Sequence, residues 1–186
     1  MDRTTSTDRE AGLLAEVARG DREAFRELYD LTARSVYFFL YRMVQEEALA
    51  EDLQVEVFAQ VWKGADRFQG RSKVKTWILG IARNLAMNAL RKRRYHLDID
   101  DCHGLADETL PDPDAADRKR CLGRAMTELS DKHREVLDLV FYQQMNYNEI
   151  GELLSVSVNT VKTRVFYAKD ALKKALERMG VGKDEI

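Results

Sequence analysis

The run NYNEIGELLSVSVNTVKTRVFYAK, Asn146–Lys169, holds side chains whose types and spacing suit the reading of DNA bases. At 100° per residue, Asn159, Thr160, Thr163, Arg164, Phe166 and Tyr167 share one arc. Val158, Val161, Val165 and Ala168, continued by Leu172, share the opposite one. Amides pair with adenine, hydroxyls with either partner, and apolar rings with the thymine methyl, so the first arc carries the chemistry of base-edge recognition. Ser157 is placed to cap this helix ahead of Val158. Upstream, Asn146 and Glu149 make a variant capping box, Ile150, Leu153 and Leu154 form the apolar side of a short helix, and Ser155-Val156 makes the turn. The result is a helix-turn-helix. The same pattern also suits a surface helix packed on its neighbour with its polar groups solvated.

A second set of groups is electrostatic. Lys and Arg total 30 against 32 Asp and Glu, yet their distribution is uneven. From Lys63 to Arg94 ten cations face one acid, Asp66, whereas Leu97–Asp117 holds eight acids and no Lys or Arg. On a helix beginning near Val74, the residues Lys73, Thr76, Gly80, Arg83, Asn84, Met87, Arg91 and Arg94 fall on one arc about 100° wide. Such a face could be an ordinary solvated exterior. The near-absence of acids favours a polyanion, because a merely solvated face mixes both signs.

Other chemistries find little footing. No nucleophile–base constellation or catalytic glycine loop is visible, which argues against an enzyme. His96, Cys102, His103 and Cys121 invite a metal, but their spacing fits no standard zinc motif, so no metal or cofactor is expected. Two cysteines make no disulfide framework and suit a reducing cytosol. The start MDRTTSTDRE lacks an apolar signal core, and Val36–Tyr41 is far too short to span a bilayer.

These groups need helices to hold them. Two prolines, both within Pro111–Pro113, and few glycines suit an all-α chain. Thr7 or Asp8 can open a first helix through Leu13, Leu14 and Val17, stopped near Gly20. Asp21 can cap a second, with Phe25, Leu28, Tyr29, Val36, Phe39, Leu40 and Met43 as its buried stripe. A third runs from Glu47 to Trp62, apolar at Leu49, Leu53, Val57, Phe58 and Val61. The basic loop Lys63–Lys75 leads to the fourth, whose buried arc comprises Val74, Trp77, Ile78, Ile81, Ala82, Leu85 and Ala89. Residues 97–117 then read as an acidic, flexible linker. A second lobe starts near Arg118 and includes a helix capped by Ser130. The expected organisation is two small helical domains, 1–96 and 118–186, joined by that linker.

Both lobes in this order resemble the sigma-70 family of bacterial transcription initiation factors, in its short two-domain form, the extracytoplasmic-function group. The resemblance covers Asp21–Arg94, through AFRELYDLTARSVYFFLYRMV, AEDLQVEVFAQVW and KVKTWILGIARNLAMNALRKRR. It covers Cys121–Met179 through LSDKHREVLDLVFYQQMNYNEIGELLSVSVNTVKTRV. In three places the chain departs from the family. Around the third helix the usual order is Asp-Leu-hydrophobic-Gln-Glu-hydrophobic-Phe, whereas Gln54 and Val55 have traded places here. Asn159 stands where a glycine usually opens the recognition helix, and Phe166-Tyr167 replace a more polar or basic pair.

The resemblance implies a non-catalytic factor that docks on core RNA polymerase. The third helix would lie against the clamp helices of the largest subunit, through Glu51, Asp52, Leu53, Gln54, Glu56, Val57, Phe58 and Trp62. The second lobe would also meet the polymerase flap region. Arg71, Lys73, Lys75, Thr76, Arg83, Asn84, Met87 and Arg91 would take the −10 element, open the duplex and hold an extruded base. Ser157, Asn159, Thr160, Lys162, Thr163, Arg164, Phe166 and Tyr167 would meet the −35 element, with Lys162 and Arg164 mostly on phosphates. The acidic linker would thread the channel that later carries RNA. An anti-sigma partner is implied as well, and with it a route by which a cytoplasmic factor is held at the membrane. The rival reading keeps the helix-turn-helix but makes the chain a transcriptional regulator without sigma activity. It calls for a ligand pocket or phosphoacceptor in the first lobe, where the sequence offers a basic, tryptophan-bearing helix.

Overall fold

Capping side chains set the starts of four helices. The computed structural model describes residues 3–97 and 121–180, with backbone alone for 3–7 and 94–97. Helix α1 spans Arg3–Val17, starting ahead of the expected Thr7 or Asp8, and the chain leaves it through Gly20 at φ +90°. Only a residue without Cβ adopts that angle freely. Helix α2 is Arg22–Val44. The Asp21 carboxylate accepts from the Glu23 and Ala24 amides at 2.8 and 3.1 Å, satisfying two of the donors that a helix start leaves open. Helix α3, Glu47–Gly64, has no side-chain cap and runs into a 3-10 turn, Ala65–Arg67. Helix α4 is Val74–Leu97, longer than the expected stop at Arg94.

Beyond residue 120, α5 covers 121–127 and α6 is Asp131–Leu137, capped by the Ser130 hydroxyl. A π turn, Asp138–Tyr142, follows. Helix α7 is Tyr147–Leu154 and α8 is Val158–Arg178. No strand occurs among the described residues, so the all-α expectation holds there. The chain divides into two compact units, Met1–Cys102 and His103–Ile186. The linker expected at 97–117 lies outside the described residues, save for the backbone of Leu97.

In the first unit α4 packs against α1, α2 and α3 together. Leu14, Leu28, Val36, Phe39, Leu40, Met43, Val57, Val61, Ile78 and Leu79 fill the space between them. Each such side chain contributes about 1.5–3 kcal/mol by leaving water. Two expected core positions of α2 lie at its margin instead. Phe25 is half-buried and Tyr29 exposed, their rings 5.2 Å from Trp62 and 4.6 Å from Phe58 of α3.

The buried arc of α4 also differs from the expectation. Val74, Ile78 and Ala82 are buried as projected, but so are Leu79 and Ala86, while Trp77, Ile81, Leu85 and Ala89 are half-buried. The arc is turned by about 60° because three neighbouring helices, not one, cover this element. Trp77 therefore does not lie locked in the core. It sits at the lobe's edge, 5.4 Å from the Phe68 ring, where a Cβ added at Gly64 would lie 3.7 Å from its Cζ2. In the second unit α6 and α7 pack on α8 around Val136, Leu137, Leu139, Ile150, Val161 and Val165. A further cluster of Ala125, Ala175 and Leu176 is completed by Cys121, Leu122, Leu172 and Met179.

Candidate nucleic-acid interface

The helix-turn-helix is built by local hydrogen bonds. Asn146 Oδ1 accepts from the Asn148 and Glu149 amides at 3.0 Å each, and the Glu149 carboxylate accepts in return from the Asn146 amide at 2.8 Å. This is a reciprocal capping box. Ser155 turns left-handed at φ +53°, and the Val156 amide donates to Gly151 O at 2.9 Å. A Cβ on Gly151 would lie 2.9 Å from the Val156 carbonyl oxygen, so the close approach of α7 to the turn needs glycine. The Ser157 hydroxyl then accepts from the Thr160 amide at 3.1 Å and lies 2.9 Å from the Thr160 hydroxyl.

These bonds sort the residues assigned to the −35 element. Ser157 and Thr160 are engaged in starting α8, a role the projection divided between cap and reading face. Asn159, Lys162, Thr163, Phe166 and Tyr167 are exposed, with Phe166 at 68% and Tyr167 at 57%, their rings edge-on at 5.5 Å. Arg164 is half-buried. Val161, Val165 and Ala168 are buried on the other side, with Val158 and Leu172 half-buried. Helix α8 thus presents an amide, a hydroxyl, a cation and two rings outward from an anchored back.

The −10 set is less uniform. Arg71, Lys73, Asn84 and Arg91 are exposed, and Lys75, Arg83 and Met87 are half-buried. Thr76 is only 6% exposed and cannot serve as an outward contact. The turned burial arc accounts for this, because it draws in the Thr76 flank of the projected face and leaves the Asn84 flank open. Arg93, from the same cationic run, is a tie within the lobe: its Nη1 donates to Val44 O at 3.3 Å and lies 3.8 Å from Glu46. The side chain of Arg94 lies outside the described ones.

The α3 set divides by helix face. Glu51, Asp52, Glu56 and Trp62 are exposed, but Leu53, Val57 and Phe58 are buried and hold α3 in the lobe. Gln54 points inward, its Nε2 donating to Ala33 O of α2 at 2.7 Å. Those four are corrected from surface contacts to supports. The exposed member of the exchanged pair is Val55. Helical projection carries this signal, since Gln54 is about 160° from Asp52 and Val55 only about 60°.

Two features had no sequence signal. Arg134 is 5% exposed, and its guanidinium donates to the carbonyls of Met126, Leu129 and Thr127, which close α5. Burial lowers its pKa, opposed by the nearby Asp131 carboxylate. The π turn projects Phe141 and Tyr142 to solvent, with Lys169 Nζ 5.2 Å over the Phe141 ring. Among the described residues no cluster of three metal-ligating side chains occurs, and Cys121 is a half-buried free thiol. Cys102 and His103, and the His96 side chain, lie outside the described ones. No described helix is long and apolar enough to cross a membrane.

Comparison with known proteins meets this geometry at both ends of the chain. Residues 28–95 match Sigma-70 region 2, and residues 125–174 match Sigma-70, region 4. The chain is 32% identical over 176 residues to the ECF RNA polymerase sigma factor SigW of Bacillus subtilis, covering 88% of this chain and 94% of that one. SigM of the same organism is 34% identical over 158 residues, covering 83% and 96%. The fold is similar to that of the sigma factor RpoE solved with the anti-sigma factor NepR from Bartonella quintana (TM-score 0.72, 24% identity, 82% and 96% covered). It is similar also to CnrH solved with the cytosolic domain of CnrY (TM-score 0.71, 21% identity, 91% and 98% covered). A region 2 match on the first lobe leaves no support for an effector domain there, and with both regions in order over more than half of its length, the chain belongs to the sigma-70 family, in its extracytoplasmic-function group.

Proposed function

We propose that this sigma factor divides promoter recognition between its lobes and docks on core polymerase through α3. The second lobe reads the −35 element with α8 in the major groove. Asn159 and Thr163 discriminate bases, Phe166 and Tyr167 offer rings to thymine methyls, and Lys162 and Arg164 hold phosphates. The first lobe takes the −10 element with Arg71, Lys73, Lys75, Arg83, Asn84, Met87 and Arg91. Unstacking a base costs a few kcal/mol, and cations that grip the displaced strand offset it. Glu51, Asp52 and Glu56 form the polar part of the polymerase-facing surface. The chain itself is non-catalytic and works in the cytoplasm, where the transcription machinery is.

The observation that carries this reading is the two-sidedness of α8: five outward residues able to read or hold DNA, on a helix whose other side is buried. An anti-sigma partner is supported by the fold shared with the sigma factor RpoE, which was solved with the anti-sigma factor NepR. The test is transcription in vitro by core polymerase plus this protein on a promoter library. Transcripts should start downstream of a shared pair of elements, and the upstream preference should change in α8 variants. Promoter-independent initiation, or none beyond core polymerase alone, would refute the reading.

A further inference from the structure

Acids are only part of what α3 presents. Val55 is 73% exposed, the most exposed large apolar side chain among the described residues of the first lobe. At 100° per residue it falls between Glu51 and Asp52 and in line with Trp62, with Ala48 and Ala59 exposed beside it. Trp62 is 37% exposed, and its ring is fixed edge-on against Phe25 at 5.2 Å. The orientation is pinned, because turning Val55 inward would break the bond from Gln54 to Ala33 O and lift Leu53, Val57 and Phe58 from the core. A lone exposed valine is ordinary. A valine in line with a braced tryptophan, ringed by Glu51, Asp52 and Glu56, has the make-up of an interface centre: apolar in the middle, charged at the rim.

We propose that Val55 and Trp62 form an apolar anchor inside the acidic docking face, and that core polymerase meets it with an apolar recess flanked by basic side chains. Gln54 is a strut between α3 and α2 and touches no partner. The proposal rests on the docking role of α3 given above, and charge complementarity selects the partner surface. Three exposed acids require cations opposite, while Val55 and Trp62 require a place where water is displaced. Docking then has a salt-sensitive and a salt-insensitive part, since ionic strength screens only the charges.

The test is titration of the full-length protein against core polymerase over a series of KCl concentrations. Val55→Ser should bind about five- to ten-fold more weakly at every salt, with the slope against salt unchanged, whereas Val55→Ile should bind like the parent. Asp52→Asn with Glu56→Gln should weaken binding mostly at low salt and flatten the slope. Gln54→Ala should lower the lobe's melting temperature and leave affinity alone. If Val55→Ser binds within two-fold of the parent while the acid pair weakens docking, the anchor is wrong and the docking role of α3 stands. If neither changes affinity, the docking role fails and the anchor with it. A Gln54→Ala protein of normal stability but reduced affinity would overturn the strut.

Discussion

Arg134→Met should cost the second lobe most of its stability without touching the first. The guanidinium donates from Nε to Met126 O at 3.0 Å and from Nη2 to Leu129 O at 2.7 Å and Thr127 O at 3.2 Å. Its fork geometry, charged at any pH used for a protein, lets one side chain close the end of α5. Methionine fills similar volume but leaves Leu129 O and Thr127 O without the guanidinium, the first in a buried bond, while Met126 O keeps only the Leu129 amide at 3.3 Å. Each costs about 1–3 kcal/mol, for a total of about 3–5. A lobe of about 60 residues has only about 3–9 kcal/mol to lose. Both tryptophans, Trp62 and Trp77, lie in the first lobe, so indole emission follows that lobe while far-ultraviolet circular dichroism follows both. In urea the emission transition should stay where it is. With a slope of about 1 kcal/mol per M, the midpoint of the second lobe should fall by about 3 M or more, leaving much of its helical signal lost before urea is added. Arg134→Lys should fall between, because one ammonium cannot span three carbonyls. A second-lobe midpoint within about 0.5 M of the parent would mean that water satisfies those carbonyls and the guanidinium is incidental.

Asp52→Lys with Glu56→Lys should reduce co-purification with core polymerase at unchanged helical content; undiminished recovery would remove α3 from the docking surface. Asn159→Ala or Thr163→Ala should relax preference at one or two −35 base pairs by about 1–3 kcal/mol each. Lys162→Ala and Arg164→Ala should weaken all sequences alike and lower the salt slope, so a promoter library separates the two classes. Arg83→Ala with Asn84→Ala should impair strand opening, seen as loss of permanganate-reactive thymines, while docking persists; normal melting on linear DNA would make this face a solvated exterior. Trp77→Ala should destabilise the first lobe by about 1.5–2.5 kcal/mol in a thermal melt, since a half-buried indole forfeits roughly half the 3–5 kcal/mol of a fully buried one.

Helix existence and helix starts were legible because their causes are local. Asp21, Ser130, Asn146 with Glu149, and Ser157 each cap the helix that the sequence assigns to them. What periodicity could not supply is the width and centre of a buried arc. That depends on how many neighbours a helix has, and α4 has three, so Leu79, Ala86 and Thr76 went inside while Trp77 stayed at the edge. The π turn escaped for a related reason. It inserts one residue into a helical register that projection assumes to be constant, and it needs the buried Asp138 carboxylate, which accepts from Gln143 at 3.1 Å, to settle there. Arg134 was invisible because a charged residue is assigned to solvent unless its partners are known, and its partners are backbone carbonyls that carry no residue signature.

A contiguous motif on a helix necessarily contains both faces, and this explains how the candidate sites divided. The stretch from Glu51 to Phe58 makes more than two turns, so only Glu51, Asp52, Val55 and Glu56 can meet a partner while Leu53, Val57 and Phe58 hold the helix down. The opening of α8 divides likewise: Ser157 and Thr160 satisfy the helix start, and their neighbour Asn159 is left outward. Substituting a support and substituting a contact can abolish the same activity, yet only the first also lowers a melting temperature. The exchange of Gln54 and Val55 makes the distinction matter here. Two residue types in adjacent places, swapped, convert a polar contact into a strut and a core filler into an exposed apolar side chain, with the composition of the motif unchanged.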